Sequence, residues 1–263
     1  NDNLCLAGGI ALNCVANTRV KSKFKNIHVP PFPNDTGLAI GMVLYAHHQI
    51  NGAQKVNTYF SPYLGPEYNG ISVSSALYNC GLKYSELDLD FLVDYLCERK
   101  PIVMCRGRSE SGPRALGNRS IMCVPDMENG RDLLNFKIKQ REWYRPYAPI
   151  ILDKYVDDIL EDYLPESPYM STSGTIKEEW RSRMSAVNHV DNSTRPQILK
   201  NEHNPFMYYL IERIYERTGI PVLLNTSFNK QEPIVETPEE AINTFKQFDN
   251  IGLMVLHKMQ VTK

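Results

Sequence analysis

The first fifty residues constrain this chain more than any other stretch. Leu4-Cys5-Leu6-Ala7 is a short apolar strand that Gly8-Gly9 breaks. Residues 10–24 then carry Leu12, Val15, Ala16 and Val20 at near-helical spacing. Residues 26–29 read as a second strand, stopped by Pro30-Pro31. Asn34 or Asp35 is placed to cap a helix over residues 36–50, since a side-chain oxygen there can accept from free helix N–H groups. A strand–helix–strand–helix unit of about fifty residues cannot close an α/β core by itself. The chain opens on Asn1-Asp2-Asn3 and enters a strand almost at once, so a fragment, or one half of a split protein, is expected.

Residues 51–70 are polar and hold Pro62, Gly65, Pro66 and Gly70, the composition of a linker. A longer mixed α/β domain is expected beyond them. A helix over 87–99 feeds a buried strand at 101–105, and a strand at 120–124 precedes a helix at 133–138. Residues 204–217 turn Phe206, Leu210, Ile211 and Ile214 to one side, and Gly219 stops that helix. Residues 221–224 form a buried strand ending in Asn225-Thr226-Ser227-Phe228-Asn229. Thr237-Pro238-Glu239-Glu240 is a capping box with proline at the first helical position. Its helix is expected to reach Phe248, before a last strand at 252–256.

Hydrophobic residues make up 42% of the chain, enough for a sizeable core. A net charge of -1 excludes a globally basic nucleic-acid binder. The longest apolar runs, such as Pro221-Val222-Leu223-Leu224, fall far short of the roughly 20 residues that span a bilayer. No basic stretch leads into an apolar one in the manner of a secretory signal. The six cysteines (Cys5, Cys14, Cys80, Cys97, Cys105, Cys123) form no C-x-x-C pair, so reduced, buried thiols are expected rather than disulfides or a zinc site. The expected location is the cytoplasm, with no membrane partner.

The charge is uneven. Residues 106–145 hold nine Lys+Arg against five acids, and the rest of the chain is acidic. Arginine suits phosphate because its planar guanidinium makes two parallel charge-assisted bonds. By charge count alone, a solvated basic face is as good a reading. Gly107, Gly112, Pro113 and Gly117 shift the balance, because they force an irregular loop after a buried strand, where backbone N–H groups can face an anion. A compact pocket for a small phosphorylated ligand is expected. Trp143, Tyr144 and Tyr147 are not interleaved along a long basic groove, so nucleic acid ranks lower as a partner.

Other features are weaker alone. The 225–229 segment packs hydroxyls and amides at a strand end, where a polar turn is the simpler reading. Gly8-Gly9 could cradle a phosphate at a helix N-terminus. Asp35 is an N-cap by default. His47 and His48 are adjacent and cannot form an i, i+4 metal pair; His189 and His203 lack partner spacing and read as structural.

Taken in order, these blocks resemble the carbamoyltransferase family that includes the nodulation and antibiotic-tailoring O-carbamoyltransferases. The resemblance begins at Leu4-Cys5-Leu6-Ala7-Gly8-Gly9-Ile10-Ala11-Leu12-Asn13 and continues through Gly107-Arg108-Ser109-Glu110-Ser111-Gly112-Pro113-Arg114-Ala115-Leu116-Gly117-Asn118-Arg119-Ser120. It runs on through Lys139-Gln140-Arg141-Glu142-Trp143-Tyr144-Arg145-Pro146, His189-Val190-Asp191 with Arg195-Pro196-Gln197, and Leu223-Leu224-Asn225-Thr226-Ser227-Phe228-Asn229. The blocks are collinear and span nearly the whole chain.

The resemblance implies an α/β (α+β) fold in two parts. Residues 1–60 would be the C-terminal remnant of a nucleotide-binding, actin-like ATPase domain similar to the tRNA threonylcarbamoyltransferase. Residues 61–263 would form a domain similar to threonylcarbamoyl-adenylate synthases, making carbamoyl adenylate from carbamoyl phosphate and ATP with Mg2+. The carbamoyl group would then pass to the hydroxyl of a small molecule or carbohydrate. That step would take place near a divalent metal, Fe2+, in a complete enzyme that includes a missing N-terminal domain or a separate N-terminal chain.

By the same resemblance, Arg114, Lys139, Arg145, Arg195 and Ser227 match carbamoyl-phosphate and nucleotide-phosphate contacts. Several cations are what pyrophosphate departure from ATP demands. Arg141 and Asn229 complete K-x-R and S-x-N patterns shared with the synthase fold. Gly8, Gly9 and Asn13 match the nucleotide loop. Asp35 matches one metal ligand, without the two histidines at i, i+4 spacing that complete the family's site. Gln231 precedes Glu232-Pro233, and Asn192 follows His189-Val190-Asp191, where the family commonly has glycine. The rival readings are a threonylcarbamoyl-adenylate synthase-like enzyme of tRNA modification, using threonine and bicarbonate, and a non-catalytic partner subunit. The Gly-Pro-Arg-Ala-Leu-Gly block favours the transferase over the synthase, and the presence of Lys139, Arg145 and Ser227 argues against the subunit.

Overall fold

The buried apolar runs become the middle of one large mixed sheet. The computed structural model describes residues 2–52, 60–127 and 129–263. β1 (Asn3–Cys5) and β2 (Asn26–His28) pair in parallel, α1 (Cys14–Arg19) lies between them in sequence, and α2 (Leu38–Asn51) follows. Then come α3 (Gly70–Tyr78), β3 (Lys83–Glu86), α4 (Leu89–Cys97), β4 (Ile102–Cys105), β5 (Arg119–Cys123) and α5 (Gly130–Asp132). The chain continues through β6 (Ala148–Leu152), α6 (Val156–Ile159), β7 (Leu160–Glu161), β8 (Gly174–Ile176), β9 (Ser193–Thr194) and β10 (Gln197–Leu199). It closes with α7 (Pro205–Thr218), β11 (Val222–Ser227), α8 (Pro238–Lys246), β12 (Leu253–Leu256) and β13 (Met259–Thr262).

The main sheet has eight strands in the order β10-β6-β11-β5-β4-β12-β13-β3. β10 runs parallel to β6 and β12 parallel to β4, and the other neighbours are antiparallel. β4, β5 and β6 are buried at every position, which explains why their sequences do not alternate: both faces are covered. α4 packs on α7, and α3 on α8. β7, β8 and β9 form a small separate sheet.

Helices with strong local signals fall where the sequence puts them. Asn204 caps α7, and Gly219 ends it at φ 68. The Thr237–Glu240 capping box is present, and α8 ends at Lys246, two residues short of the expected Phe248. The helix expected over 10–24 is broken. Asn13 turns its side chain back to cap α1 through Ala16 N–H, and 3-10 turns at Gly9–Leu12 and Val20–Ser22 flank it. Neither Asn34 nor Asp35 caps α2. A 3-10 turn at Asp35–Gly37 comes first, and Asn34 Oδ1 takes the hydroxyl of Thr36 instead. All six cysteines are free, as expected; Cys80, Cys105 and Cys123 are buried, while Cys14 and Cys97 are half-buried and Cys5 is exposed.

Residues 53–59 of the expected linker lie outside the described residues, and its last residue, Gly70, opens α3. Its 60–66 part is pinned to the glycine-rich loop. Gly65 N–H donates to the Ser109 carbonyl at 3.0 Å, Ser109 N–H to the Pro66 carbonyl at 3.0 Å, and Ser111 N–H to the Pro62 carbonyl at 2.6 Å. The N-terminal unit is docked as well. Buried Asn17 donates to the Ser171 carbonyl at 2.8 Å, and the Thr18 hydroxyl accepts from Ser173 N–H at 2.8 Å. At Gly112, φ is +109 and a Cβ would stand 2.8 Å from the Pro31 carbonyl oxygen. Gly112→Ala is therefore expected to cost about 1–3 kcal/mol and loosen this seam, measured by urea denaturation and by protease cleavage in the first fifty residues.

α2 is the exception to this packing. No residue of it is buried, and Met42, Val43 and Ile50 are 65%, 69% and 81% exposed. Among the described residues, no helix is long and apolar enough to cross a membrane.

Candidate functional site

Lys139 is the centre of the site. It caps a π-helical turn, Leu133–Ile138, that follows α5 directly, and its own N–H reaches back to the Leu134 carbonyl at 2.7 Å. Such turns often mark functional positions. The side chain is 3% exposed, and Nζ faces four acceptors from the end of β11. These are the Ser227 carbonyl (2.8 Å) and Oγ (3.2 Å), and the Asn229 carbonyl (2.8 Å) and Oδ1 (2.6 Å). Ser227 Oγ also donates to Asn229 Oδ1 at 2.7 Å. Burial, reinforced by the nearby Arg141 charge, pushes the Lys139 amine down to about 7. An ammonium has three protons, so four acceptors over-subscribe it.

Arg141 leaves the same turn. Its Nε donates to Asn135 Oδ1 at 2.9 Å, and its guanidinium lies 4.6 Å from the centre of the Tyr147 ring. Arg195 is half-buried, and its Nε is shut off from water with no hydrogen-bond partner. Burial pushes it down to about 10, and the charges of Arg114 and Arg141 push the same way. Burial also lowers Arg114. Among the described residues, no carboxylate forms a salt bridge with Lys139, Arg114, Arg141 or Arg195. A lysine and three arginines gathered so that Arg141 acts on both Lys139 and Arg195, and Arg114 on Arg195, with no salt-bridged acid among the described residues, suit a polyanion.

The other expected residues are placed differently. Arg145 is exposed and pairs with Glu142 at 2.8 Å on the following turn. Gly8 has φ 91, donates its N–H to the Pro33 carbonyl, and lines an apolar groove of about 580 Å³ under α2 together with Asp35. Gly9 opens the first 3-10 turn. Asn13 caps α1, whose first residue, Cys14, neighbours Arg114 and Arg195 electrostatically. His189 and His203 are held by hydrogen bonds in the fold, to Ser193 Oγ and Lys200 N–H respectively.

The basic segment is not a single pocket. Arg108 donates to the carbonyls of Leu64 and Gly65, and Arg106 to that of His257 while stacking on Phe206. Arg131 holds the Ser185 carbonyl, and Arg119 is buried against the carbonyls of Arg106, Gly107 and Asn118. Their charge is the same as that of the site arginines; their partners differ.

Sequence reasoning missed Glu110, whose Oε1 accepts from the N–H groups of Leu116 (2.6 Å) and Asn118 (2.8 Å) and so shapes the loop carrying Arg114. Burial raises its pKa. It also missed Asn135, and it placed Gln197 and Asn225 within its motifs without giving either a role of its own. An amide or acid inside an otherwise apolar or basic run is the local signal such residues leave. At Asn192, where the family commonly has glycine, φ is 61, a left-handed turn that asparagine tolerates better than most residues. Gln231 is not in that region, so its position makes no such demand for glycine.

Residues 93–263 match the profile of the carbamoyltransferase C-terminus, and residues 1–44 that of the carbamoyltransferase N-terminus. Nodulation protein NolO of Bradyrhizobium diazoefficiens is 34% identical over 262 residues, covering 96% of this chain and 48% of that protein. Nodulation protein U of Sinorhizobium fredii is 39% identical over 231 residues, covering 86% of this chain and 39% of the relative. The chain spans about half the length of the first curated relatives it matches. The crystal structure of full-length HypF in its phosphate- and nucleotide-bound form superposes with a TM-score of 0.46 at 16% identity, over 67% of this chain and 22% of HypF. The C-terminal match runs through the π-helical turn, the Arg195 segment and the β11 end that together build the cationic cluster, and by it this chain belongs to the carbamoyltransferase family.

Proposed function

We propose that this chain is the C-terminal part of an ATP-dependent O-carbamoyltransferase and forms carbamoyl adenylate. The observation that carries this reading is the cluster of Lys139, Arg141, Arg195 and Arg114, which form no salt bridge with a carboxylate among the described residues, and in which Lys139 bonds Ser227 and Asn229. In the proposed reaction, carbamoyl phosphate gives up its phosphate to water. An oxygen of the resulting carbamate attacks the α-phosphorus of ATP, and the bond to the β-phosphate breaks. Negative charge builds on pyrophosphate as it leaves, and cations fixed in place beforehand stabilise it without reorganising. Lys139, losing one of its four acceptors to a phosphate oxygen, keeps its remaining bonds.

On this reading residues 61–263 are the adenylate-forming domain, similar to threonylcarbamoyl-adenylate synthases. Residues 1–60 are the tail of an actin-like transferase domain, completed by an N-terminal domain or a separate chain that supplies the acceptor cleft. The acceptor is a small molecule or carbohydrate with a nucleophilic hydroxyl, and Mg2+ arrives with ATP. Carbamoyl-phosphate-dependent exchange of labelled pyrophosphate into ATP tests the proposal. Exchange supported by threonine and bicarbonate instead would favour a synthase of tRNA modification, and no exchange under either condition would favour a non-catalytic subunit.

The residues present do not fit the divalent metal. Asp35 is exposed, and among the described residues no three His, Cys, Asp or Glu side chains gather where they could hold an ion. One carboxylate in water is a weak ligand for Fe2+ or Zn2+. The chain alone is expected to emerge from dialysis with far less than stoichiometric iron or zinc by elemental analysis; one retained ion per chain would contradict this.

A further inference from the structure

We infer that Gln197 and Asn225 are positioning residues that align Arg114, Arg195 and Ser227 for an anionic ligand. The inference rests on reading those three as phosphate contacts. Both amides are buried, at 1% and 2% exposure. Asn225 Nδ2 donates to the Ala115 carbonyl at 2.9 Å and to Gln197 Oε1 at 3.3 Å. Gln197 Nε2 donates to the Leu116 carbonyl at 2.9 Å. The two carbonyls belong to the residues that directly follow Arg114.

The same pair is tied to the rest of the cluster by the chain. Gln197 stands two residues after Arg195. Asn225 stands two before Ser227 on β11, on the same face of the strand. β6 runs between their strands, with Asn225 opposite Ala148 and Gln197 opposite Ile150. The small side chain of Ala148 leaves room for the amides to meet across it. On the other side of the loop, Glu110 accepts the Leu116 N–H at 2.6 Å, and the Tyr63 hydroxyl donates to the Leu116 carbonyl at 2.9 Å. Both polar groups of Leu116 are therefore held.

The choice of amides has an electrostatic consequence. Glu110 can only accept from the loop's N–H groups, whereas the carbonyls of Ala115 and Leu116 need donors, and amides supply these without adding a charge beside Arg114 and Arg195. Neutral amides fix the backbone and leave the charge free. Asn225 Oδ1 is buried without a partner, so the arrangement keeps a stability cost for the sake of its two donors.

Calorimetric titration of the full chain with inorganic pyrophosphate tests the inference on Asn225→Ala, Arg114→Ala and the double variant, with melting temperatures as a folding control. Asn225→Ala is expected to weaken binding about tenfold, and Arg114→Ala at least as much. The double variant should fall within about twofold of Arg114→Ala alone, because the amide acts through the arginine. Gln197→Met, similar in shape without the donor, should behave like Asn225→Ala and takes its place in the cycle if that variant does not fold. Losses that multiply in the double variant, or unchanged binding in both amide variants, would overturn the proposal. If Arg114→Ala alone bound pyrophosphate as the unsubstituted chain does, or if neither bound it, the phosphate-site reading would fail and the positioning role with it.

Discussion

Lys139→Met is expected to weaken ATP binding about ten- to a hundredfold and to remove most of its pH dependence. The charge-assisted contact accounts for the first effect. The second follows from the amine's position, pushed down to about 7 by burial and by Arg141. At about pH 8 the free chain holds most of its Lys139 neutral, and a bound polyphosphate favours the charged form, so binding takes up a proton. Affinity should fall as pH rises through 7, and near pH 6 the uptake should vanish because the amine is already charged. Stability of the free chain runs the other way. From about pH 7 up to the ordinary lysine range, the unfolded chain binds the proton that the folded chain lacks, so this group makes stability rise with pH. Calorimetry in two buffers of different ionisation enthalpy counts the protons. The same uptake in Lys139→Met would remove Lys139 from the site.

A second large effect is expected from the uncovered α2 face. Leu38, Met42, Val43 and Ile50 are exposed along a helix with no buried residue, above a groove of about 580 Å³ that includes Phe32 and Phe60. Beside it, β1 and β2 form a two-stranded parallel sheet whose outer edges carry no further strand among the described residues. Exposed apolar patches of this kind drive association, and a two-stranded sheet is marginal alone. The chain by itself should therefore self-associate in a concentration-dependent way in sedimentation, while still catalysing carbamoyl-phosphate-dependent pyrophosphate exchange. Met42→Glu with Val43→Lys should reduce association and leave exchange intact. Supplying the part of the relatives that this chain does not span should cover the face and add carbamoylation of a hydroxyl acceptor, read by mass spectrometry. A monodisperse chain that carbamoylates an acceptor unaided would end the two-module reading.

The sequence by itself determined the elements whose signals are local. α7 follows from an apolar stripe with Asn204 and Gly219 at its ends, and α8 from a capping box within four residues. The unbroken apolar runs of β4 and β11 announced burial on both faces, and the order of motifs announced the family. Weak or competing local signals misled: Asn13 caps the very helix it was expected to lie within, and the short edge strand β3 and its neighbour β13 left no clear period.

Only the tertiary structure decided which cations form the site. Arg108, Arg119 and Arg141 carry the same charge, yet the first two are taken up by loop carbonyls, while Arg141 stands by Lys139 and Arg195. Lys139 meets Ser227 and Asn229 across 88 and 90 residues of chain, and Asn225 meets the Ala115 carbonyl across 110. A residue's local sequence specifies its charge and donors but not the partners that strand order brings to it. The order β10-β6-β11-β5 does that, by setting the Arg195 segment, the Ser227 end and the Arg114 loop side by side.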